Sequence, residues 1–236
     1  MDIVEAIRQR KSIRAFKPDP VPQSILKEIM EVALRAPSWA NTQPWEFAVV
    51  AGNKLEDLRK AFLEKAVGES KLDLPGPREF PEPYGSRVRS LGITMADAMA
   101  ARRRDSEKNQ WWLKGFGLYG ALAAIYVYTE RSFCFQPDSL NVWPIFDCGL
   151  VSQNIMLLAT KYGLGTIPQA QAVHHPDVLR KALGIPSSKL IILGIAIGYP
   201  DWDYPANKVR IGRDPVSTLT TWRSSLSNPS ARQAGT

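Results

Sequence analysis

The chain has 236 residues, of which 44% are hydrophobic and 22% charged, so it can build a sizeable core and global disorder is excluded. Its formal net charge of +7 is compatible with a nucleic acid, an anionic cofactor or an acidic substrate, but no zinc-finger or helix-turn-helix spacing accompanies the charge. No apolar run approaches the roughly 20 residues of a membrane span. Two cysteines without a signal peptide predict a cytoplasmic protein.

The chain starts with a short amphipathic helix that leads into a cluster of basic residues. Asp2 and Glu5 have the spacing of a helix N-cap and its N3 partner, so the helix is expected to begin directly after Asp2. Residues 8–14 then hold four cations and one serine. Cations complement the dipole at a helix C-terminus, so a solvated face is one interpretation. The other is an anion site, in which guanidinium groups and the Ser12 hydroxyl bind a phosphate.

An amphipathic helix near residues 25–34 precedes a loop, residues 36–45, of unusual composition. The loop contains two prolines, four short polar side chains and two tryptophans, Trp39 and Trp45. A stiff backbone, several hydrogen-bonding groups and large flat surfaces together favour a loop that holds a flat polar heterocycle. A well-packed turn with Trp45 in the core is the alternative.

The remaining elements follow from their hydrophobic patterns. Gly163 is placed to end a long helix in the left-handed conformation, and a glycine-bearing turn is predicted at 164–171. Residues 200–223 lack a periodic apolar face and are predicted to form an arm. Residues 224–236 are polar and predicted to be a disordered tail, so we expect one domain over residues 1–223. Strands are predicted at 45–51, 121–129 and 190–197, and helices at 55–66, 147–162 and 176–183.

The stretch 68–119 differs from its surroundings, because it combines prolines, glycines and mixed charge with little periodicity. We interpret it as an inserted lid with a helix near 93–104. Its aromatic residues would cover a flat acceptor, and Arg87 would meet an acidic or nitro group; ordinary core or dimer contacts and a solvated arginine are the alternatives. The residues predicted to contact the acceptor are Trp39, Arg87, Trp111, Trp112, Phe116 and Tyr119.

Several familiar functional motifs are missing from the sequence. It contains no Gly-x-Gly-x-x-Gly after a strand, no Walker A sequence, no Gly-x-Ser-x-Gly elbow and no convincing nucleophile–base pair. His174 and His175 lack a third ligand nearby, so we interpret them as part of a loop and helix cap and predict no metal site. An enzyme with this sequence would rely on a bound cofactor. A flat cofactor with a phosphate would use both the basic clusters and the rigid loop.

Five motifs appear in the order seen in FMN-dependent nitroreductases, and the sequence resembles that family over about residues 2–222. Each motif alone is weak, but their joint order and spacing are specific. Residues 83–90 and the tail from Asn207 to Trp222 are most similar to the nitrobenzoate and nitroaromatic reductase branch. The motifs are Arg10-Lys11-Ser12-Ile13-Arg14, Pro37-Ser38-Trp39-Ala40-Asn41-Thr42-Gln43-Pro44-Trp45, Gly163-Leu164-Gly165-Thr166, Gly198-Tyr199-Pro200 and Arg210-Ile211-Gly212-Arg213-Asp214-Pro215.

The resemblance implies an α+β fold, an α/β/α sandwich with a central mixed, mainly antiparallel sheet. It also implies an intertwined homodimer with FMN at the subunit interface, in which the arm 200–223 embraces the partner. The expected small-molecule partners are NADH or NADPH and an aromatic or quinone-like acceptor. No nucleic acid or membrane partner is expected.

Carried over by position, the residues that the resemblance implies as cofactor contacts can be grouped by the part of FMN that each would contact. No side chain is expected to be catalytic, because flavin N5 would carry the hydride. The backbone N–H of Ala170 is the candidate hydrogen-bond partner of N5. Arg14 would lie near the pyrimidine edge of the flavin, where positive charge stabilises the reduced form. Residues expected at the phosphate and ribityl chain are Arg10, Lys11, Ser12, Arg210 and Arg213. Those expected from the other subunit are Pro37, Ser38, Trp39, Asn41 and Gln43, and those beside the isoalloxazine are Pro168, Gln169 and Ala170.

The implied reaction is a ping-pong reduction in which a reduced nicotinamide passes hydride to flavin N5, leaves and is replaced by an acceptor. A nitro group would be reduced in two-electron steps. Reduction of an activated alkene, quinone or halogenated aromatic is an alternative within the family, and a non-catalytic flavin- or nucleic-acid-binding protein is an alternative of another class. Trp39 departs from the family, because many relatives have a small residue there; it would narrow the pocket or add a stacking surface.

Overall fold

The computed structural model describes residues 1–66, 68–69, 71–100 and 113–223, and a four-stranded antiparallel sheet of order β1-β2-β6-β5 lies at its centre. The strands are β1 (Glu46–Ala51), β2 (Ala123–Glu130), β3 (Phe135–Gln136), β4 (Ser139–Leu140), β5 (Gly165–Gln169) and β6 (Lys189–Gly198). The helices are α1 (Ile3–Gln9), α2 (Gln23–Ala33), α3 (Asn53–Lys65), α4 (Tyr84–Ala100), α5 (Arg131–Cys134), α6 (Trp143–Lys161), α7 (Pro176–Leu183), α8 (Pro205–Lys208) and α9 (Val216–Leu219).

Helices cover both faces of the sheet, and β2 contributes side chains to both cores. Successive side chains of a strand point to opposite faces. Tyr126 therefore packs in one core with Phe62 of α3, while Ile125 packs in the other with Ile29 of α2 and Ile155 of α6. This arrangement confirms the expected α+β sandwich with its antiparallel sheet.

Several local predictions are confirmed. Asp2 caps α1, since its Oδ1 accepts a hydrogen bond of 2.8 Å from the Glu5 N–H. Gly163 has a φ of 71° directly after the cap of α6, as a left-handed helix end requires. Helix α7 has the predicted bounds, and β1, β2 and β6 lie within two residues of the predicted strands.

The predicted turn at 164–171 is wrong, because Gly165–Gln169 forms β5, an edge strand of the described sheet. A glycine and a proline close together are typical of a turn, which explains the error. An edge strand tolerates proline, which has no N–H to donate to a neighbour. Pro168 stands in β5 opposite Ile195 of β6.

The helix in the predicted lid begins earlier than expected, at Tyr84 rather than near residue 93. Gly85 and Gly92 and a largely exposed surface weakened its periodic signal. Helix α4 packs against α8 through a small cluster in which Met95 meets Tyr204. The described helices include none long and apolar enough to cross a membrane. Trp111, Trp112 and the predicted polar tail lie outside the described residues.

Candidate functional site

A cavity of about 750 Å³ between the N-terminal and C-terminal segments has a strongly basic wall, and we call it the basic cavity. Its remaining wall includes Ser12, Gln153 of α6, and Leu91 and Met95 of α4. Among the described residues, no aspartate or glutamate lines it. The basic residues of its wall are Arg8, Arg10, Lys11, Arg14, Arg210 and Arg213.

The sheet fixes the backbone of the first basic segment. After α1 ends, Ser12 forms a parallel bridge with Thr166 of β5, and the Ile13 N–H donates to the Thr166 carbonyl at 3.0 Å. Ile13 is buried, so its neighbours Ser12 and Arg14 are held at the cavity. A Cβ at Gly165 would overlap Ile13 and Pro200, so only glycine permits this close approach.

Asn207 joins the first basic segment to the C-terminal one. Its side chain is completely buried; its Oδ1 accepts from the Arg14 N–H at 2.6 Å, and its Nδ2 donates to the carbonyls of Ala15 and Asp201, each at 2.8 Å. The Lys11 ammonium donates to the Asn207 carbonyl, and the Arg210 guanidinium donates to the Arg8 carbonyl at 3.1 Å. Residues almost 200 positions apart in sequence thus share one wall.

The electrostatics of the basic cavity favour an anion. Burial lowers the pKa of Arg10, and the charge of Arg213 lowers it further. Burial and then Arg210 lower the pKa of Lys11. Burial and the neighbouring like charges act in the same direction, and no carboxylate of the described wall offsets them. Guanidinium groups with a serine hydroxyl are the donors that hold a phosphate, so the residues present fit a phosphate-bearing cofactor.

The polar loop predicted to hold a heterocycle is preorganised by its own hydrogen bonds. Ala40, Asn41 and Gln43 all have φ between 46° and 58°, a left-handed conformation that is uncommon for non-glycine residues. The Gln43 N–H donates to Ser38 Oγ at 3.0 Å, and its side-chain amide donates to Asn41 Oδ1 at 3.2 Å. Strain of this kind persists only where the surroundings hold it in place, and it is concentrated at functional sites.

Helix α6 packs against the loop 36–45 and holds it in place through Trp39. The buried carboxylate of Asp147 accepts a hydrogen bond of 3.0 Å from the Trp39 N–H. One turn earlier, the Trp143 ring stacks on the Trp39 ring at a centroid distance of 6.3 Å. The Trp143 and Phe146 rings form a T-shaped pair at a centroid distance of 5.8 Å. Trp39 nevertheless stays 55% exposed, so a large aromatic surface remains available.

Within one chain, the predicted cofactor residues do not form one cavity. Arg10, Lys11, Ser12, Arg14, Arg210 and Arg213 line the basic cavity, whereas Pro37, Ser38, Trp39, Asn41 and Gln43 do not. The third predicted group lies at the end of β5, where Pro168 is half-buried and Ala170 exposed. Gln169 is buried; its Nε2 donates to the Gly115 carbonyl at 3.2 Å, while its Oε1 has no partner among the described residues.

The predicted acceptor residues are also dispersed. Arg87 forms an ion pair with Asp214 and lies 5.5 Å from the centre of the Tyr84 ring. Phe116 is completely buried and packs against the rings of His174 and His175, so the ordinary core contact that the sequence left open describes it. Tyr119 is half-buried and lines a separate cavity beside Arg14.

The basic cavity is also lined by Gln153, Leu91 and Met95, for which no motif of the sequence indicates a role. Gln153 had a weak signal, as a polar residue within a largely apolar helix. Asn207 was part of a quoted motif, but nothing in the sequence indicated that it bridges two distant segments. Within the described ranges, no group of three or more histidine, cysteine, aspartate or glutamate residues is arranged to hold a metal ion.

The sequence is similar to known proteins over most of its length. The family model described as the nitroreductase family matches residues 7–199. The chain is 32% identical to nitroreductase NfnB of Mycolicibacterium smegmatis, covering 91% of this chain and 89% of that protein. It is 31% identical to chloronitrobenzene nitroreductase of Comamonas testosteroni, covering 93% and 96%.

Solved structures show the same fold. The crystal structure of the FMN and NADPH-dependent nitroreductase NfnB from Sphigopyxis sp. strain HMH superposes with a TM-score of 0.86 at 27% identity, covering 95% of this chain and all of that one. The FMN-dependent NfnB of Mycobacterium smegmatis in complex with NADPH superposes with a TM-score of 0.84 at 28% identity, covering 94% and 100%. The chain therefore belongs to the nitroreductase family.

Proposed function

We propose that this protein is an FMN-dependent NAD(P)H oxidoreductase that reduces nitroaromatic or similar acceptors by two electrons in a ping-pong cycle. The observation that carries the proposal is the basic cavity, in which six cations meet around a serine hydroxyl without a carboxylate among the described residues. Charges brought together in this way repel one another, so the cavity is suited to a ligand with a phosphate group.

The residues of the basic cavity would divide the work of holding FMN. Arg10, Ser12 and Arg213 would bind the phosphate, Lys11 and Arg210 would add positive charge, and Arg14 would stand nearer the ring system. Bound FMN would supply the redox chemistry, by accepting hydride from a reduced nicotinamide and passing two electrons to an acceptor. The protein's contribution is to position the cofactor, to provide positive charge and to shape the acceptor site.

We also propose a homodimer, because the loop 37–43 of the same chain does not line the basic cavity. Large apolar side chains are exposed on α1 and on the C-terminal arm; Ile3 is 62% and Trp222 73% exposed. Exposed apolar surface of this kind marks an interaction site. In a dimer, the loop of a second copy would complete the flavin site. A chain truncated after Tyr199 should be insoluble or lack flavin, and a soluble, yellow, monomeric truncation would contradict the dimer.

Both cysteines, Cys134 and Cys148, are unpaired and buried, which fits the reducing cytoplasm that we propose as the location. Burial raises the pKa of Cys148 to about 12, and the charges of Cys134 and Asp147 act in the same direction. This thiol therefore stays protonated, and we give it no role in the reaction.

The test of the proposed function has two stages. The purified protein, reconstituted with FMN, should be yellow, and NADH or NADPH should bleach it rapidly without oxygen. A passive flavin-binding protein would keep its colour. Steady-state turnover with nitro, quinone, enone and halogenated aromatic acceptors then identifies the reaction. Failure to bind FMN would contradict the proposal, and the acceptor panel decides between nitro reduction and its alternatives within the family.

A further inference from the structure

A second cavity, with a volume of about 490 Å³, adjoins the basic cavity, and we call it the apolar pocket. Arg14 lines both cavities, so a ligand in the apolar pocket stands next to the proposed cofactor. Its walls include Leu63 of α3, Leu113, Tyr119 and Tyr204. Pockets of about 300–1,000 Å³ with apolar and aromatic walls are typical of small-molecule sites.

The charged groups at the apolar pocket are not equivalent. Arg59 is committed to the structure, because it pairs with Glu56 and donates to the carbonyls of Gly117 and Ala121. Lys114 differs, since its Nζ lies 3.1 Å from the Tyr204 hydroxyl and 5.1 Å from the centre of that ring. Among the described residues, no carboxylate lies within ion-pair distance of Lys114. Within the described part of the chain, its charge therefore faces the pocket without a compensating carboxylate.

The Tyr119 hydroxyl adds a hydrogen-bond donor to the wall. Burial raises the pKa of Tyr119, although the charge of Arg14 and the hydrogen bond that the Arg14 side chain makes to Tyr119 act in the opposite direction. The hydroxyl is therefore protonated at neutral pH and can donate to an oxygen of a ligand. The pocket thus combines aromatic walls, a protonated phenol and a positive rim.

Arg87, which the sequence suggested for an acidic group, and the nearby Arg89 are both occupied elsewhere. Arg87 pairs with Asp214, and Arg89 pairs with Glu82 at 2.5 Å. Both pairs are exposed, and both neutralise the arginine. Lys114 remains as a cation that can meet a negative substituent beside an apolar wall.

We propose that the apolar pocket binds flat aromatic acceptors through their anionic substituent, and that Lys114 makes the enzyme select an aromatic carboxylate over its neutral ester. The aromatic ring would lie against Leu63, Leu113 and Tyr204, and the carboxylate would meet the Lys114 ammonium at the rim. A single ammonium on an apolar wall suits one carboxylate on a ring, whereas a phosphate needs the several donors of the basic cavity. This inference rests on the proposed function and specifies its substrate class.

The experiment compares 4-nitrobenzoate with methyl 4-nitrobenzoate as acceptors, using the FMN-loaded full chain. Calorimetric titration with benzoate, which cannot be reduced, measures binding without turnover. The variants are Lys114→Met, which removes the charge, and Lys114→Arg, which keeps it. Lys60→Met is the matched control, because Lys60 is an exposed lysine of α3 that does not line the apolar pocket.

We expect Lys114→Met to lower benzoate affinity and kcat/KM for 4-nitrobenzoate by about fivefold, the value of one partly exposed charge pair. Turnover of the methyl ester should stay unchanged, Lys114→Arg should keep the preference, and Lys60→Met should resemble the wild type. An equal loss with both acceptors would overturn the proposal, because Lys114 would then act on something that the two acceptors share and not on the carboxylate. Unchanged benzoate affinity in Lys114→Met would overturn it too. If the wild type reduces neither acceptor, the proposed function fails, and the benzoate titration still decides the pocket.

Discussion

Two groups of arginines in this protein are built in opposite ways. In the first, Asp73 stands between Arg131 and Arg180, at 2.7 and 2.6 Å, and also accepts a hydrogen bond of 2.9 Å from the Ile191 N–H. We call these three side chains the Asp73 cluster. Its carboxylate is 8% exposed. Burial alone would raise the pKa of Asp73, but the bonds from Ile191, Arg180 and Arg131 hold it below its usual value.

The second group is the basic cavity, where Arg10 and Arg213 face each other and the described wall contains no carboxylate. Here the neighbouring charge lowers the pKa of Arg10 in the same direction as burial does. In the Asp73 cluster, the positive charges have a carboxylate partner from the same chain. Its bonds hold the irregular segment that contains Asp73 against β6 of the sheet. The basic cavity has no opposite charge among the described residues of its wall, and this difference is the reason why we propose that the basic cavity, and not the Asp73 cluster, binds a ligand.

The largest effect is expected for Asp73→Ala, which leaves two arginines facing each other without their carboxylate. Removing one partner of a buried ion pair costs about 3 kcal/mol or more, and we expect about 3 kcal/mol because Arg131 is partly exposed. Urea unfolding measures this loss. Asp57→Ala, at an exposed position of α3, serves as the control. A loss no larger than that of the control would show that the cluster does not hold the segment.

A smaller effect of a different kind is expected for Arg213→Ala. It should weaken FMN binding tenfold or more, since a charge-assisted hydrogen bond is worth about 1.5–3 kcal/mol. The stability of the apoprotein should stay equal or rise, because a repulsion with Arg10 disappears. Flavin titration and urea unfolding of the apoprotein measure the two quantities, with the exposed Arg35→Ala as control. Unchanged FMN affinity would remove Arg213 from the phosphate site.

The pH dependence of stability separates the two groups further. The folded pKa of Asp73 lies below its ordinary value of 3.8, so its contribution is complete above that value and is lost as the pH falls through the folded pKa. Between pH 6 and the acid limit of folding, the free energy of unfolding should therefore fall less steeply with decreasing pH for Asp73→Asn than for the wild type. Parallel curves would mean that Asp73 has the same pKa in the folded and unfolded chains.

The smallest effect is expected for an ion pair that is neither buried nor crowded. Lys27 and Glu31 lie 3.8 Å apart on α2, with side chains 77% and 64% exposed. Lys27→Met should change the free energy of unfolding by less than about 0.5 kcal/mol, because solvent screens such pairs. A loss comparable to that of Asp73→Ala would show that burial is not what separates these interactions.

Local patterns in the sequence predicted most of the architecture. The cap at Asp2, the left-handed Gly163 and the bounds of α7 depend on neighbouring residues, and the sequence predicted all three. Strand β5 was missed because its proline is acceptable only at a sheet edge, and edge position is a property of the whole sheet.

The site was predictable in its parts and not in its assembly. Two basic clusters were visible in the sequence, but their meeting depends on Asn207, which bonds to the N-terminal segment across more than 190 residues. The sequence around Arg87 could not show that this arginine is already paired either, because its partner Asp214 is 127 positions away. Contacts at such separations arise from the fold, and a periodic pattern does not encode them.

We propose that the basic cavity is incomplete until it binds a phosphate, and comparing FMN with riboflavin tests this most directly. The two ligands share the isoalloxazine and ribityl groups and differ only in the phosphate. Calorimetric titration of the apoprotein should give an FMN affinity at least about a hundredfold higher than that for riboflavin, the value of two charge-assisted bonds. In Arg213→Ala this ratio should shrink about tenfold. Equal affinities of the wild-type protein for FMN and riboflavin would contradict the account.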